Sequence, residues 1–408
     1  MFGTGGLLRS LVVTAVDEAN RRGQYRGAIG AIQSTGTDRV AALNEQDGLF
    51  TLVERGIEDG APVDRARIIG AITRAYHFRE NWTDLCHIAA SPDLGVIVSN
   101  VTEAGFARGE FTTRLTGLLR ARFSAGRNTR LFVIPTELVP DNGPRLRAFV
   151  HDEAAAFETR NGFSAWIDEH VTFASSLVDR ITTAAPPGER EALAARFGYE
   201  DSQVTVTEPA ALWAIEGDPG ALRAVFPVDD GTRVVFAPDI TAFRQRKIRL
   251  LNGAHTAFAP VALLAGIATV RAATEHAEAG PFFRRLLFDE LVQGSGVEKG
   301  EAARYAQSVW ERFGNPWIDH AWSVIANNQD EKLRIRVLPS IIEYTRSTGR
   351  PPVLLSLALA AHVVYRGLAP DALGDVAPRV REWASMITSN GMIVAIQRAM
   401  SEASGTQA

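Results

Sequence analysis

The sequence predicts an α/β N-terminal domain of Rossmann-like, doubly wound type, followed by a mainly α-helical C-terminal domain. Three observations carry this reading. In the first half, short apolar runs that close on polar or turn residues alternate with amphipathic helical stretches, the pattern of a parallel sheet. From about Lys247 onward the helical period is nearly continuous. Between the two, residues 227–242 are rich in Asp, Gly and Pro and read as a connection. The expected domains are therefore residues 1–237 and 238–408, with the ligand site in a cleft between them.

In chain order, residues 8–22 and 111–123 read as amphipathic helices. Residues 27–32, 94–99, 131–135 and 211–216 read as short buried strands. The second half reads as helices over 247–255, 261–279, 281–291, 299–313, 333–347 and 353–365. The tail after Ala403 is small and polar, as fraying ends are.

Composition excludes several function classes. Hydrophobic residues make up 46% of the 408, enough for a large core. A net charge of -4 argues against a basic nucleic-acid binder and a polybasic membrane-surface protein. Cys86 is the only cysteine, which removes an internal disulfide and a cysteine-ligated zinc site and suits a reducing cytosol. The apolar stretches 257–270 and 353–365 fall short of the roughly 20 residues a bilayer needs. No secretory signal precedes them, so a cytoplasmic location is expected. The histidines lack metal-ligand spacing, and a metal-independent protein is expected.

Of 43 basic residues only Lys247, Lys299 and Lys332 are lysine, so surface charge is supplied almost wholly as arginine. Arginine stays protonated at any working pH, whereas a buried lysine can lose its proton. A lysine kept inside Arg244-Gln245-Arg246-Lys247-Ile248-Arg249 is thus a candidate acid-base group, the alternative being a solvated charge. On a regular α-helix Asn252 lies about 140° from Lys247 and His255 about 80° from it. One cleft could then receive an amine, an amide donor and an imidazole, a set able to polarise a ketone oxygen and exchange a proton with it. Arg244, Arg246 and Arg249 could lower the lysine's pKa or hold a substrate carboxylate.

The N-terminus, Gly3-Thr4-Gly5-Gly6-Leu7-Leu8-Arg9, runs straight into a helix, as a pyrophosphate-binding turn would. Leu8 replaces the third glycine of the usual fingerprint. Only Met1 and Phe2 precede the turn, so the first strand reads as truncated. No acidic residue closes the next strand, which leaves the cofactor's phosphate state open. Asn100, Thr102 and Glu103 follow a strand at a position suited to cofactor contact or helix capping. Glu137 and Asn142 follow another strand and divide evenly between ligand contact and loop structure. Arg336 is a candidate carboxylate clamp or a surface ion pair, and Glu216 ends a strand on the cleft side.

Lys-x-x-x-x-Asn-Gly-Ala-His resembles the signature of the long-chain mannitol dehydrogenase family of polyol and uronate dehydrogenases. Other blocks agree in the same order: FGTGGLLR (2–9), QDGLF (46–50), SNVTEAG (99–105), PTELVPDNG (135–143), FASSLVDRITT (173–183), LWAIEG (212–217), NPWIDH (315–320) and RVLPS (336–340). Within the family these look most like tagaturonate reductases, which interconvert D-tagaturonate and D-altronate with NAD(H) in hexuronate catabolism. Fructuronate reduction and mannitol-type polyol oxidation remain alternatives, as does an inactive ligand-binding homologue. The polyol enzymes tend to carry Asn before their VDRI stretch, where this chain has Ser175 and Ser176, which disfavours mannitol.

The resemblance implies NAD as cofactor, a small sugar-acid substrate, and no nucleic-acid or membrane partner. It makes Lys247 the general acid-base, with Asn252 and His255 on the reacting oxygen. It places Gly3, Gly5, Leu8, Arg9, Asn100, Thr102 and Glu103 toward the cofactor and Arg336, Ser175 and Glu216 toward the substrate. The family's N-terminal strand and part of its C-terminal helical region are not found in this sequence.

Overall fold

The computed structural model describes residues 1–33, 38–101, 105–156, 162–185, 187–368 and 377–405. Its chain divides into two compact units, residues 1–55 with 64–240 and residues 56–63 with 241–408.

The first unit is built on a parallel sheet. Strands β1 (Ile29–Gln33), β2 (Phe50–Glu58), β3 (Ala61–Ile69), β4 (Ile72–His77), β5 (Val96–Ser99), β6 (Leu131–Pro135) and β7 (Val171–Phe173) come first in the chain. β1 pairs in parallel with β4, and β5, β6 and β7 pair in parallel with one another. The two halves are joined by the first residues of the chain. The Phe2 N–H donates to the Val98 carbonyl at 2.7 Å and its carbonyl accepts from the Asn100 N–H at 3.0 Å. On the other side the Ile32 N–H reaches the Met1 carbonyl at 2.8 Å and the Gly3 N–H reaches the Ile32 carbonyl at 2.8 Å. Residues 1–3 thus occupy the central strand position that looked too short to fill. Counted this way, the spatial order is that of a dinucleotide-binding fold, in which ligands sit beyond the carboxyl ends of the central strands.

The predicted strands 94–99, 131–135 and 211–216 recur within two residues at either end. Residues 227–242 depart from expectation, because they include a strand. β8 (Ser176–Asp179) runs antiparallel to β11 (Leu212–Glu216), and β11 pairs in parallel with β12 (Val234–Ala237). The alternation of Val234 and Phe236, buried beside their register partners Trp213 and Ile215, is what makes this stretch a strand despite its Asp and Gly flanks. A further sheet, β3-β2-β10-β9, adds β9 (Thr182–Ala184) and β10 (Thr205–Thr207). β2 and β3 turn at Asp59-Gly60, both at positive φ, as a two-residue hairpin requires. The turn itself belongs to the second unit, where the Gly60 N–H donates to Glu311 at 3.1 Å.

A buried ion pair ties this sheet to the glycine-rich helix. Arg180 meets Glu54 at 2.5 Å, their side chains 1% and 3% exposed, and the same guanidinium donates to the carbonyls of Ser10 and Glu208. Arg65 completes the set at 2.9 Å from Glu54. Burial pushes the Glu54 carboxyl up, but the surrounding guanidiniums outweigh it and hold the group below its ordinary value. Removing one partner of such a pair costs about 3–5 kcal/mol, because the other charge stays buried alone.

The second unit is helical. The helix Gly253–Leu264 is apolar on nearly every side and runs through its core against Phe282, Phe283, Trp322 and Leu357. The predicted helix 261–279 is two helices in fact, ending at Leu264 and resuming at Val270. Gly266, at φ 74, makes the break, and the Thr269 side chain caps the new N-terminus by accepting from the Ala272 N–H. Among the described residues no helix is long and apolar enough to cross a membrane.

Candidate active site

Lys247, Asn252 and His255 lie on one helical run, but not on a regular α-helix. Residues Lys247–Asn252 form a π-helical turn, and the α-helix resumes at Gly253. A π turn closes its hydrogen bond over five residues, so Asn252 stacks one turn beyond Lys247. The 140° separation expected of an α-helix is thereby corrected. Lys247, Asn252 and His255 are each half-buried.

His255 is held by rings. Its imidazole lies 4.6 Å from Phe313, 5.3 Å and edge-on from His320, and 6.0 Å from Trp322. Asn252 is held through its backbone, whose carbonyl accepts from the Thr256 hydroxyl at 2.7 Å. The Thr256 oxygen in turn accepts from Arg336 Nη1 at 3.4 Å. A Cβ on Gly253 would lie 3.4 Å from the Arg336 carbonyl, an ordinary contact distance, so the helix Gln329–Arg336 packs against this turn.

Two residues outside the expected site, Lys332 and His320, join this cluster. Lys332 stands four residues before Arg336, on the same helix face, and its ammonium donates to the Ile325 carbonyl at 2.9 Å. Burial, and then the nearby Arg336, lowers its pKa. The His320 imidazole is held below its ordinary pKa by burial and then by Lys332. Neither Lys332 nor Arg336 has an acidic partner among the described residues. The scarcity of lysine that singled out Lys247 would have singled out Lys332 as well. The flanking arginines are otherwise engaged. Arg246 pairs with Glu301 at 2.8 Å and stacks on Tyr305 at 4.5 Å, and Arg249 donates to the Ile335 carbonyl at 2.8 Å.

In the first unit a cavity of about 510 Å³ opens beyond the central strands, lined by Gly3, Thr4, Gly5, Gln33, Arg39, Phe78, Asn100 and Val101 among others. Gly3, at φ 123, has no room for a side chain: a Cβ would meet Leu8 Cδ1 at 2.6 Å. A Cβ on Gly5 would meet nothing within 4 Å, so backbone and open space adjoin there. That cradle fits a dinucleotide pyrophosphate approaching main-chain N–H groups. Asn100 lines the cavity and is braced by Thr136 Oγ1 at 2.9 Å. Leu8 and Arg9, expected toward the cofactor, do not line it. Leu8 is core beneath Gly3, and the Arg9 guanidinium turns inward to the Thr4 carbonyl, Thr205 and Gln203. Thr102 and Glu103 lie outside the described residues.

Glu137 anchors the loop after β5, accepting from the Val101 N–H at 2.8 Å and from Ser99 at 3.2 Å. Burial raises its pKa. Asn142 is fully committed to Pro135, Glu137 and Ser176. The Ser176 hydroxyl is spent on the Pro135 carbonyl at 2.6 Å, which leaves Ser175 as the serine of the pair able to offer a hydroxyl. Ser175 and Glu216 are brought together, the Glu216 N–H donating to the Ser175 carbonyl at 2.8 Å.

Comparison with known proteins agrees with both units. Residues 1–223 match the mannitol dehydrogenase Rossmann domain and residues 239–386 the mannitol dehydrogenase C-terminal domain. An altronate oxidoreductase of Bacillus subtilis (strain 168) is 36% identical over 378 residues, covering 89% of this chain and 78% of the relative. One from Yersinia enterocolitica is 34% identical, over 90% and 79%. In structure the chain is similar to a D-sorbitol dehydrogenase in substrate-free form, at TM-score 0.82 and 20% identity over 97% of this chain and 94% of that one. It is also similar to Pseudomonas fluorescens mannitol 2-dehydrogenase, solved as a ternary complex with NAD and D-mannitol, at TM-score 0.70 and 22% identity over 98% and 93%.

Proposed function

The chain belongs to the mannitol dehydrogenase family, and we propose that it is an NAD-dependent oxidoreductase that reduces the ketone of a hexuronate, D-tagaturonate to D-altronate, reversibly. The observation that carries the substrate class is the pair Lys332 and Arg336. Two cations one helical turn apart repel each other and are both lowered by burial, an arrangement that favours an arriving anion. A sugar acid brings that anion as its carboxylate, and a neutral polyol does not. The names of the similar altronate oxidoreductases support the same choice.

The main chain at Gly3 and Gly5, with Asn100, would hold NAD(H), which would supply or take up the hydride. The chain's own residues handle charge and protons. As the ketone is reduced, negative charge develops on its oxygen, and Lys247 delivers a proton there; in the reverse direction it removes one. The Asn252 amide and the His255 imidazole hydrogen-bond that oxygen and fix its position, each in turn fixed by Thr256 and by the ring cluster. Arg336 and Lys332 bind the carboxylate.

A substrate panel tests this directly. NADH oxidation is followed with tagaturonate, fructuronate and fructose. Turnover is expected with tagaturonate foremost. Activity on fructose without activity on either uronate overturns the substrate class, and preference for fructuronate overturns the specific acid.

A further inference from the structure

The end of the cofactor cavity beside β1 carries a charge pattern that the proposed NAD chemistry leaves unused. In dinucleotide-binding folds an acidic side chain after the second strand holds the ribose 2′-hydroxyl and excludes a 2′-phosphate, while an arginine nearby accommodates that phosphate. Here the strand in question, β1, ends at Gln33, and the sequence from 34 to 37, Ser-Thr-Gly-Thr, contains no acid. Arg39, in the first turn of the helix Asp38–Glu45, lines the cavity, whereas its acidic neighbour Asp38 does not. Arg39 is exposed. It has no ion pair or hydrogen bond among the described residues. Its charge reaches inward, since after burial it is Arg39 that lowers Arg9. The other charged side chains lining the cavity are already paired: Arg108 with Asp152, and Glu110 with Arg79 and Arg114.

We propose that Arg39 is a 2′-phosphate contact and that the cavity accepts NADP(H) as well as NAD(H). This rests on the reading of the cavity as a dinucleotide site. An uncommitted guanidinium offers a phosphate dianion two parallel hydrogen bonds, and among the described residues the one carboxylate lining the cavity, Glu110, is already paired with Arg79 and Arg114.

Binding is measured by titration calorimetry on the full chain, with NADH, NADPH, 5′-AMP and 2′,5′-ADP as probes. The expected result is that NADPH binds with an affinity within roughly tenfold of NADH, and that 2′,5′-ADP binds more tightly than 5′-AMP. Arg39→Glu should shift the NADH-to-NADPH affinity ratio by roughly a hundredfold toward NADH, and Arg39→Lys by roughly tenfold or less. NADH binding without NADPH binding overturns the inference and leaves the dinucleotide site standing. If neither binds, the reading of the cavity itself fails. An Arg39→Glu ratio equal to that of the unaltered chain also overturns it, and an unchanged melting temperature separates that outcome from misfolding.

Discussion

The Thr256 hydroxyl joins Asn252 to Arg336, donating to the Asn252 carbonyl at 2.7 Å while accepting from the guanidinium at 3.4 Å. A residue expected on the reacting oxygen and one expected on the substrate carboxylate are thereby set by a single side chain. Thr256 is buried and touches neither end of the substrate in this account, so it acts as a positioning residue.

Thr256→Val keeps the shape and removes the hydroxyl. It is expected to raise KM for the hexuronate by roughly tenfold, with a smaller effect on kcat, and to cost about 1 kcal/mol of stability. Thr256→Ser should restore most of the KM. Steady-state kinetics on the two variants, with thermal unfolding alongside, check this; equal KM values in all three proteins would remove the positioning role.

Gly143 allows the chain at Ser175 to pass close by. A Cβ there would meet the Ser175 nitrogen at 2.6 Å and the Phe173 carbonyl at 2.9 Å, both main-chain atoms that cannot swing aside. Gly143→Ala is expected to destabilise the protein by about 1–3 kcal/mol and to weaken substrate binding through the displaced Ser175. Denaturant unfolding gives the first quantity and KM the second.

Glu290 is buried in the helical unit and accepts from the Leu354 and Leu355 N–H groups at 2.9 and 2.7 Å, capping the helix Val353–Arg366. Burial outweighs those bonds and pushes its carboxyl up to about 7. Its pKa in the folded state thus lies above the unfolded value, so between about pH 4.5 and 7 the native state binds the proton more tightly. Its contribution to stability is full at the acid end of that window and is lost as pH rises through it. The neutral variant Glu290→Gln should flatten the dependence of melting temperature on pH across the window. Parallel curves for the two proteins would contradict the assignment.

Much of the fold was legible because burial imposes a period. The strand 131–135 and the helix 299–313 are marked by continuous or amphipathic apolar patterns, and both stand where the pattern puts them. The strands β2 and β3 were not legible, since β3 is exposed along most of its length and carries no apolar alternation strong enough to be read. The site was legible as far as one segment holds it. The motif from Lys247 to His255 holds the proposed acid-base group and its companions, but propensity gives no warning of the π turn. Lys332, His320 and Thr256 join through tertiary contacts, and only the rarity of lysine pointed toward one of them. The Leu8 and Arg9 side chains lie off the cavity lining, because a fingerprint fixes which positions face the phosphate only when glycine fills them all. Here Leu8 turned the third position into core.

The account stands on Lys247 as the group that exchanges a proton with the substrate oxygen. The most direct measurement is the turnover of Lys247→Ala with tagaturonate and NADH, set beside the unaltered enzyme and beside NADH binding by calorimetry. Turnover is predicted to fall at least ~10²-fold, the lower range for removal of a general acid-base group, while the folded variant still binds NADH. Turnover within a few-fold of the unaltered enzyme would mean that the proton comes from elsewhere, and the proposed chemistry would be wrong.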